Sequence, residues 1–128
     1  MEQTKITVTS MNGPKAIGPY SAAVKTGSFV FTSGQLGLDP YTNELVPGGI
    51  EAETRKALEN LRLVLEAAGT KLENVVKTTV FLQDIQEFSK MNNIYAEFFF
   101  ENPPARSAIQ VAALPKGAAV EIEAIALL

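Results

Sequence analysis

An α+β fold, with two helices on one face of a mixed β-sheet, is what the pattern of apolar residues predicts, on three observations. Residues 5–9 and 29–33 alternate in polarity or are dense in β-branched and aromatic residues, the mark of strands. Apolar positions recur at helical spacing across 50–68 and again across 88–99. A β-branched run at 75–82 lies between these two stretches, and further strand-like segments follow the second. No linker, low-complexity tract or long internal repeat interrupts this order, so residues 1–128 are read as one domain.

Taken in order, Lys5-Ile6-Thr7-Val8-Thr9 is a short first strand. Gly13-Pro14 and Gly18-Pro19-Tyr20 punctuate the next segment too densely for a regular element. Residues 21–26 and 29–34 flank Gly27-Ser28 as the arms of a hairpin. Residues 35–48, with Asp39-Pro40 and Pro47-Gly48-Gly49, are expected to be loop. Ile50, Ala57, Leu58, Leu61, Val64, Leu65 and Ala68 form the apolar stripe of the first helix; Glu59, Arg62 and Glu66 form its wet side, and Gly69 its C-terminal cap. Residues 75–82 are apolar on both parities apart from Lys77, which predicts a central strand covered at least partly on both faces.

Asp84, with Glu87 as reciprocal partner, is placed to cap the second helix, which should stop before Pro103-Pro104. Residues 106–113 and 118–128 are strands on either side of a turn at Leu114-Pro115-Lys116-Gly117, giving the order βββαβαββ. Tyr95 and Phe98-Phe99-Phe100 fit the helix packing, whereas Val76, Val80 and Leu82 are expected to point away from the helices. A monomer would then expose an apolar patch too large for solubility, and a homo-oligomer covering it is the simplest outcome.

The composition restricts the chemistry. There is no His, Cys or Trp, which removes a Ser-His-Asp relay, a thiolate nucleophile, a His or Cys zinc site, a haem ligand set and a disulfide framework. What remains is Arg, Lys, Asp, Glu, Tyr, Ser, Thr, Asn, backbone groups and water, and no metal or cofactor is expected. Acidic residues outnumber basic ones by 14 to 11 with no Lys or Arg run, so nucleic acid is not the expected partner. Met1-Glu2-Gln3-Thr4-Lys5 lacks the pattern of a signal peptide and no apolar stretch reaches membrane-spanning length, so the expected location is cytoplasmic, without a membrane partner.

Four features could carry chemistry. In Val120-Glu121-Ile122-Glu123-Ala124-Ile125, two carboxylates share a strand face with Ile125 and Leu127; the face is either a solvated strand end or a place where a carboxylate near a cleft orients water. Arg106 stands at the start of an apolar strand with no acidic neighbour in sequence. It is either half of a cross-sheet ion pair with Glu121 or Glu123, or a bidentate grip for a substrate carboxylate, with Ser107 and local backbone N–H groups as further donors. Gly18-Pro19-Tyr20-Ser21 is an ordinary turn or brings a phenol over a pocket. Thr32-Ser33-Gly34-Gln35 is a strand end or a pocket wall.

Together these residues resemble the RidA (YjgF) family of small imine deaminases. The resemblance is carried by Ile17-Gly18-Pro19-Tyr20-Ser21, Thr32-Ser33-Gly34-Gln35, Val76-Lys77-Thr78-Thr79-Val80-Phe81, Pro104-Ala105-Arg106-Ser107 and Val120-Glu121-Ile122-Glu123-Ala124-Ile125-Ala126, and spans essentially the whole chain. It implies a chorismate-mutase-like α+β fold and a homotrimer whose sheets form a central β-barrel with clefts between subunits. It also implies hydrolysis of 2-aminoacrylate/2-iminopropanoate and 2-iminobutanoate, released by pyridoxal-phosphate-dependent dehydratases, to pyruvate or 2-oxobutanoate and ammonia.

By the same resemblance Arg106 binds the substrate carboxylate with the backbone N–H of Ala108. Glu121 positions or activates water, and Tyr20 lines the pocket facing a neighbouring subunit's Arg106. Ser33, Gly34 and Asn92 shape the cleft. Many members carry Cys where this chain has Ala108, a change of little consequence if the contribution is a backbone donor. The segment before Pro103 looks shorter than in some relatives, which bears on the pocket rim. Two other readings use the same residues: a non-catalytic trimer that binds a ketoacid or other small carboxylate, and an endoribonuclease or translation inhibitor. The acidic balance and the missing His count against the last.

Overall fold

The computed structural model describes residues 4–128; residues 1–3, part of the segment on which the absence of a signal peptide was read, lie outside the described residues. The elements are β1 (Ile6–Val8), β2 (Ala23–Thr26), β3 (Phe29–Thr32), β4 (Gln35–Leu36), α1 (Gly49–Ala67), β5 (Val75–Leu82), α2 (Phe88–Phe98), β6 (Ala105–Gln110) and β7 (Val120–Leu127). The strands form one mixed sheet in the order β1-β2-β3-β7-β5-β6, with β4 also on β7. Among the described residues only β5 and β6 pair in parallel, joined through α2 as a crossover requires. The expected α+β class holds, with both helices on one face of the sheet.

The core lies between that face and the helices. The α1 stripe at Ala57, Leu58, Leu61, Val64 and Leu65 is at most 1% exposed and meets Val30, Val80, Leu82, Val120 and Ile122, each fully buried. Burying a side chain of this size contributes about 1.5–3 kcal/mol, so this layer supplies most of the favourable free energy. At the end of α1, Gly69 has φ +90 and sits where the helix must reverse. The Thr70 N–H donates to Leu65 O at 2.9 Å and the Gly69 N–H to Glu66 O at 3.0 Å, satisfying the last carbonyls as the glycine predicts.

Several expectations need correction. Residues 35–48 are not wholly loop: Gln35 and Leu36 pair with Ile122 and Glu121, and Leu38 bridges Leu45. A two-residue strand is too short to leave a periodic signal. The order is therefore ββββαβαββ. Val80 and Leu82 point toward the helices, not away, while Val76 is exposed. A bulge between Val75 and Lys77 resets the alternation, and a run apolar on both parities could not say which parity faced inward.

At the start of the second helix the Asp84 carboxylate accepts the Gln86 N–H at 2.9 Å, capping a single 3₁₀ turn (Ile85–Glu87) that feeds α2. Glu87 turns toward Lys90 at 3.8 Å instead of reaching back to Asp84. Phe100 is 74% exposed and packs with neither helix, because α2 ends at Phe98 and only Phe99 folds back onto Tyr95.

The sheet face away from the helices is uncovered, as expected, but by other residues. Phe29, Phe31, Ile109 and Leu127 are between 42% and 47% exposed, and Lys77, Thr79, Phe81, Glu121 and Glu123 share their side by register. No helix among the described residues is long and apolar enough to cross a membrane.

Candidate functional site

Strict alternation along β7 sends Val120, Ile122, Ala124 and Ala126 into the core and leaves Glu121 and Glu123 on the opposite face. Glu121 lies in register between Leu36 of β4 and Phe81 of β5. Its carboxylate rests against the backbone of Gly34, where a Cβ would overlap it and force the Glu121 side chain to shift, so glycine there leaves the carboxylate its place. Burial raises the Glu121 pKa above the usual carboxylate value, and the like charge of Glu123 adds to the rise. Among the described residues no Lys or Arg forms an ion pair with it.

Glu121 and Gly34 line a cavity of about 210 Å³ whose apolar wall comes from Ile17, Ala22, Leu36 and Leu38, with Tyr20 at its rim. Tyr20 is half exposed, and its backbone N–H donates to Gly18 O at 2.8 Å, so the turn aims the ring. Ser33 stands beside the cavity, its hydroxyl donating to Ser21 O at 2.6 Å and its N–H to Ala22 O at 2.9 Å. These bonds pin the start of β2 to the end of β3; the Ser33 hydroxyl is committed to the fold.

Arg106 belongs to a different place. It follows Ala105 on β6, the edge strand, and its register partner Thr78 is buried, so its side chain leaves on the helix side of the sheet. There Nη1 donates to Asn92 Oδ1 at 2.8 Å, and the guanidinium carbon stands 4.6 Å from the Tyr95 ring centre and 5.3 Å from that of Phe88. Asn92, Tyr95, Pro104 and Arg106 line a second cavity of about 350 Å³. The cross-sheet ion pair with Glu121 or Glu123 is not formed, because these carboxylates point to the opposite face.

Ser107, next on β6, accepts from Lys77 Nζ at 3.0 Å on the open face. The Val111 N–H donates to Leu82 O at 2.9 Å, so by alternation the N–H groups of Arg106 and Ala108 point away from β5, to the free edge. The expected residues thus fall into two groups within one chain: Tyr20, Gly34 and Glu121 at the first cavity with Ser33 behind it, and Arg106 and Asn92 at the second with Ala108 and Ser107 on the adjoining edge. The two cavities share no lining residue.

Sequence reasoning missed Phe88 and Tyr95 as neighbours of Arg106, assigning both to core packing alone. Their spacing with Asn92 (i, i+4, i+7) was the available signal, since it places one amide between two rings on one helix face. It also missed Leu36 and Leu38 as cavity wall.

Comparison with known proteins places the fold among known relatives. A family model described as Endoribonuclease L-PSP matches residues 10–128. The chain is 52% identical over 122 residues to a RutC family protein of Pyrococcus horikoshii, covering 95% of this chain and 97% of that protein. It is also 52% identical over 120 residues to a 2-iminobutanoate/2-iminopropanoate deaminase of Bos taurus, covering 94% and 88%. The crystal structure of RidA from the Antarctic bacterium Psychrobacter sp. superposes with a TM-score of 0.92 at 46% identity over 96% of this chain and 99% of that one. E. coli TdcF with bound serine gives 0.91 at 41% identity over 96% and 98%. With a family match over nearly its whole length and relatives this close, the chain belongs to the RidA (YjgF) family.

Proposed function

We propose that the chain, acting as one domain within a homotrimer, hydrolyses 2-iminobutanoate and 2-iminopropanoate to 2-oxobutanoate and pyruvate, releasing ammonia. The observation that carries this reading is the Glu121 carboxylate, half-buried against Gly34, without a cationic partner among the described residues, on the wall of a cavity that Tyr20 rims. Such a group can accept a proton from water. The deaminase name borne by relatives at this identity supports the same chemistry.

In this reading water adds to the carbon of the protonated C=N bond as Glu121 takes one of its protons. Glu121 returns that proton to the amine nitrogen of the carbinolamine, and the C–N bond breaks as the hydroxyl gives its proton back to Glu121, forming the ketone and releasing ammonia, which carries that proton away as ammonium. Arg106 grips the substrate carboxylate through N–H groups not given to Asn92, with the outward N–H of Ala108 beside it and Ser107 as a further donor. Gly34 and Ser33 shape the floor and Tyr20 closes the rim. An imine is already electrophilic, so orientation and a general base, the latter contributing roughly 10²–10⁴-fold, suffice without a strong nucleophile. The enamine and imine acids come from pyridoxal-phosphate-dependent dehydratases, in the cytoplasm.

The test couples the protein to a threonine or serine dehydratase and follows ketoacid release. Acceleration above spontaneous hydrolysis is expected, with Glu121→Ala losing turnover; ligand binding without acceleration would leave a carboxylate sensor in its place. The description of the matching family model motivates a second reading as an endoribonuclease. RNA incubated with highly purified protein is expected to stay intact, and cleavage that disappears in Arg106→Ala would favour that reading.

A further inference from the structure

Arg106 is flanked by Phe88, Asn92 and Tyr95, which lie on one face of α2. Two of them are aromatic. Tyr95 is 5% exposed and fixed in turn, its hydroxyl 2.8 Å from Thr78 Oγ1 and its ring 4.8 Å from that of Phe99. Burial raises its pKa, so the phenol stays neutral and the ring presents a π face to the cation, not a charge. Asn92 takes one N–H of Nη1, and among the described residues no carboxylate competes for the rest.

We propose that Phe88 and Tyr95 are positioning residues that form an aromatic slot for Arg106, holding its planar fork at the sheet edge with its remaining N–H groups free for a substrate carboxylate. The proposal rests on the carboxylate-binding role given to Arg106 above. An arginine side chain has several rotatable bonds, and a bidentate grip requires their ordering. The slot supplies that order before substrate arrives. It does so without a carboxylate partner, which would neutralise the guanidinium and repel an anionic substrate.

Because Arg106 contacts a part of the substrate that does not change during reaction, the slot acts on ground state and transition state alike. Loss of one ring face should raise KM about tenfold, the scale of a partly desolvated cation–π contact, with kcat nearly unchanged. A merely structural role would lower stability or the active fraction and leave KM in place.

The experiment measures kcat and KM for imine hydrolysis, and the dissociation constant for 2-oxobutanoate by calorimetry, in wild type, Phe88→Leu, Tyr95→Leu and Tyr95→Phe. The Leu variants are expected to raise KM and the 2-oxobutanoate dissociation constant in parallel. Tyr95→Phe keeps the ring, loses only the bond to Thr78, and should restore both toward wild type. Phe88 is only partly buried, so Phe88→Leu remains informative if Tyr95→Leu does not fold. Unchanged KM and ketoacid affinity in folded Phe88→Leu, or a loss confined to kcat, would overturn the slot while leaving the deaminase reading intact. Wild-type protein that neither binds 2-oxobutanoate nor accelerates hydrolysis would overturn the role of Arg106 and the slot with it.

Discussion

Glu121 titrates above an ordinary glutamate because burial disfavours its charge, and Glu123 on the same face of β7 adds repulsion. As the proposed general base Glu121 works only when ionised, so the acid limb of kcat/KM is expected to report it and to move with anything that changes its charge environment. Glu123→Gln removes the like charge; the pKa of Glu121 falls, and the acid limb is expected to move to lower pH, with the activity at pH 5 rising relative to that at pH 7. A pH–rate profile checks this, and an unmoved limb would mean that another group titrates there. Glu121→Gln keeps the shape and loses the base, so kcat should fall by about 10²-fold or more. Arg106→Lys keeps the charge but not the planar fork, and its loss should be mainly in KM. Arg106 and Glu121 were legible in the sequence because each breaks its local pattern. The neighbours of Arg106 were not, since an aromatic residue on an apolar stripe reads as core whether or not it also faces a cation.

Helix α1 carries three buried polar side chains, Glu53, Thr54 and Asn60, and two of them, Glu53 and Asn60, seven residues apart, bond to backbone groups beyond the helix. Asn60 donates to Leu36 O at 3.0 Å and to Leu38 O at 2.9 Å, fastening the β4 wall of the Glu121 cavity to the helix. Glu53 accepts the Ala119 N–H at 2.8 Å, fixing the approach to β7 just before Glu121. Asn60→Ala leaves those two carbonyls without their donor, at a cost of about 1–3 kcal/mol for each one left unpaired. Chemical denaturation should show the lost stability, and a raised KM the loosened wall.

Burial raises the Glu53 pKa despite its bond to Ala119. A raised folded-state pKa contributes stability below the unfolded-state value and loses it as pH rises through the folded one. Glu53→Gln keeps an acceptor without the charge, so its melting temperature should exceed that of wild type near pH 7. The gap should close as pH falls below the ordinary glutamate value. The helices and long strands were legible because ten or so residues of consistent period outweigh a few exceptions. Asn60 and Glu53 stood on the stripe as such exceptions, and β4 had no periodic signal because its two residues are defined by pairing with β7, a contact distant in sequence.

One chain holds the two halves of the proposed site in cavities that share no lining residue, and both halves adjoin surfaces left unfinished: the sheet face bearing Phe29, Phe31 and Leu127, and the free edge of β6. An apolar sheet face with an unpaired edge is stable in water only when covered, and the proposed homotrimer covers it with further copies of the same surface. The sequence revealed the uncovered face but assigned it to the wrong parity of β5, because the bulge at Val76 is a property of the pairing with β7. If the trimer also completes the site, Arg106 of one copy works with Glu121 of another. Arg106→Ala and Glu121→Gln are then each inactive alone, yet damage different halves. Subunits of the two variants, dissociated, mixed in equal amounts and reassembled, form interfaces at random, and about a quarter should pair an intact Arg106 with an intact Glu121. Ketoacid release should therefore recover to about a quarter of the wild-type rate per site, and light scattering should report the trimer mass before and after mixing. A reassembled mixture as inactive as its parents would place the whole site within one chain, because there every subunit carries one of the two lesions whatever its neighbours are.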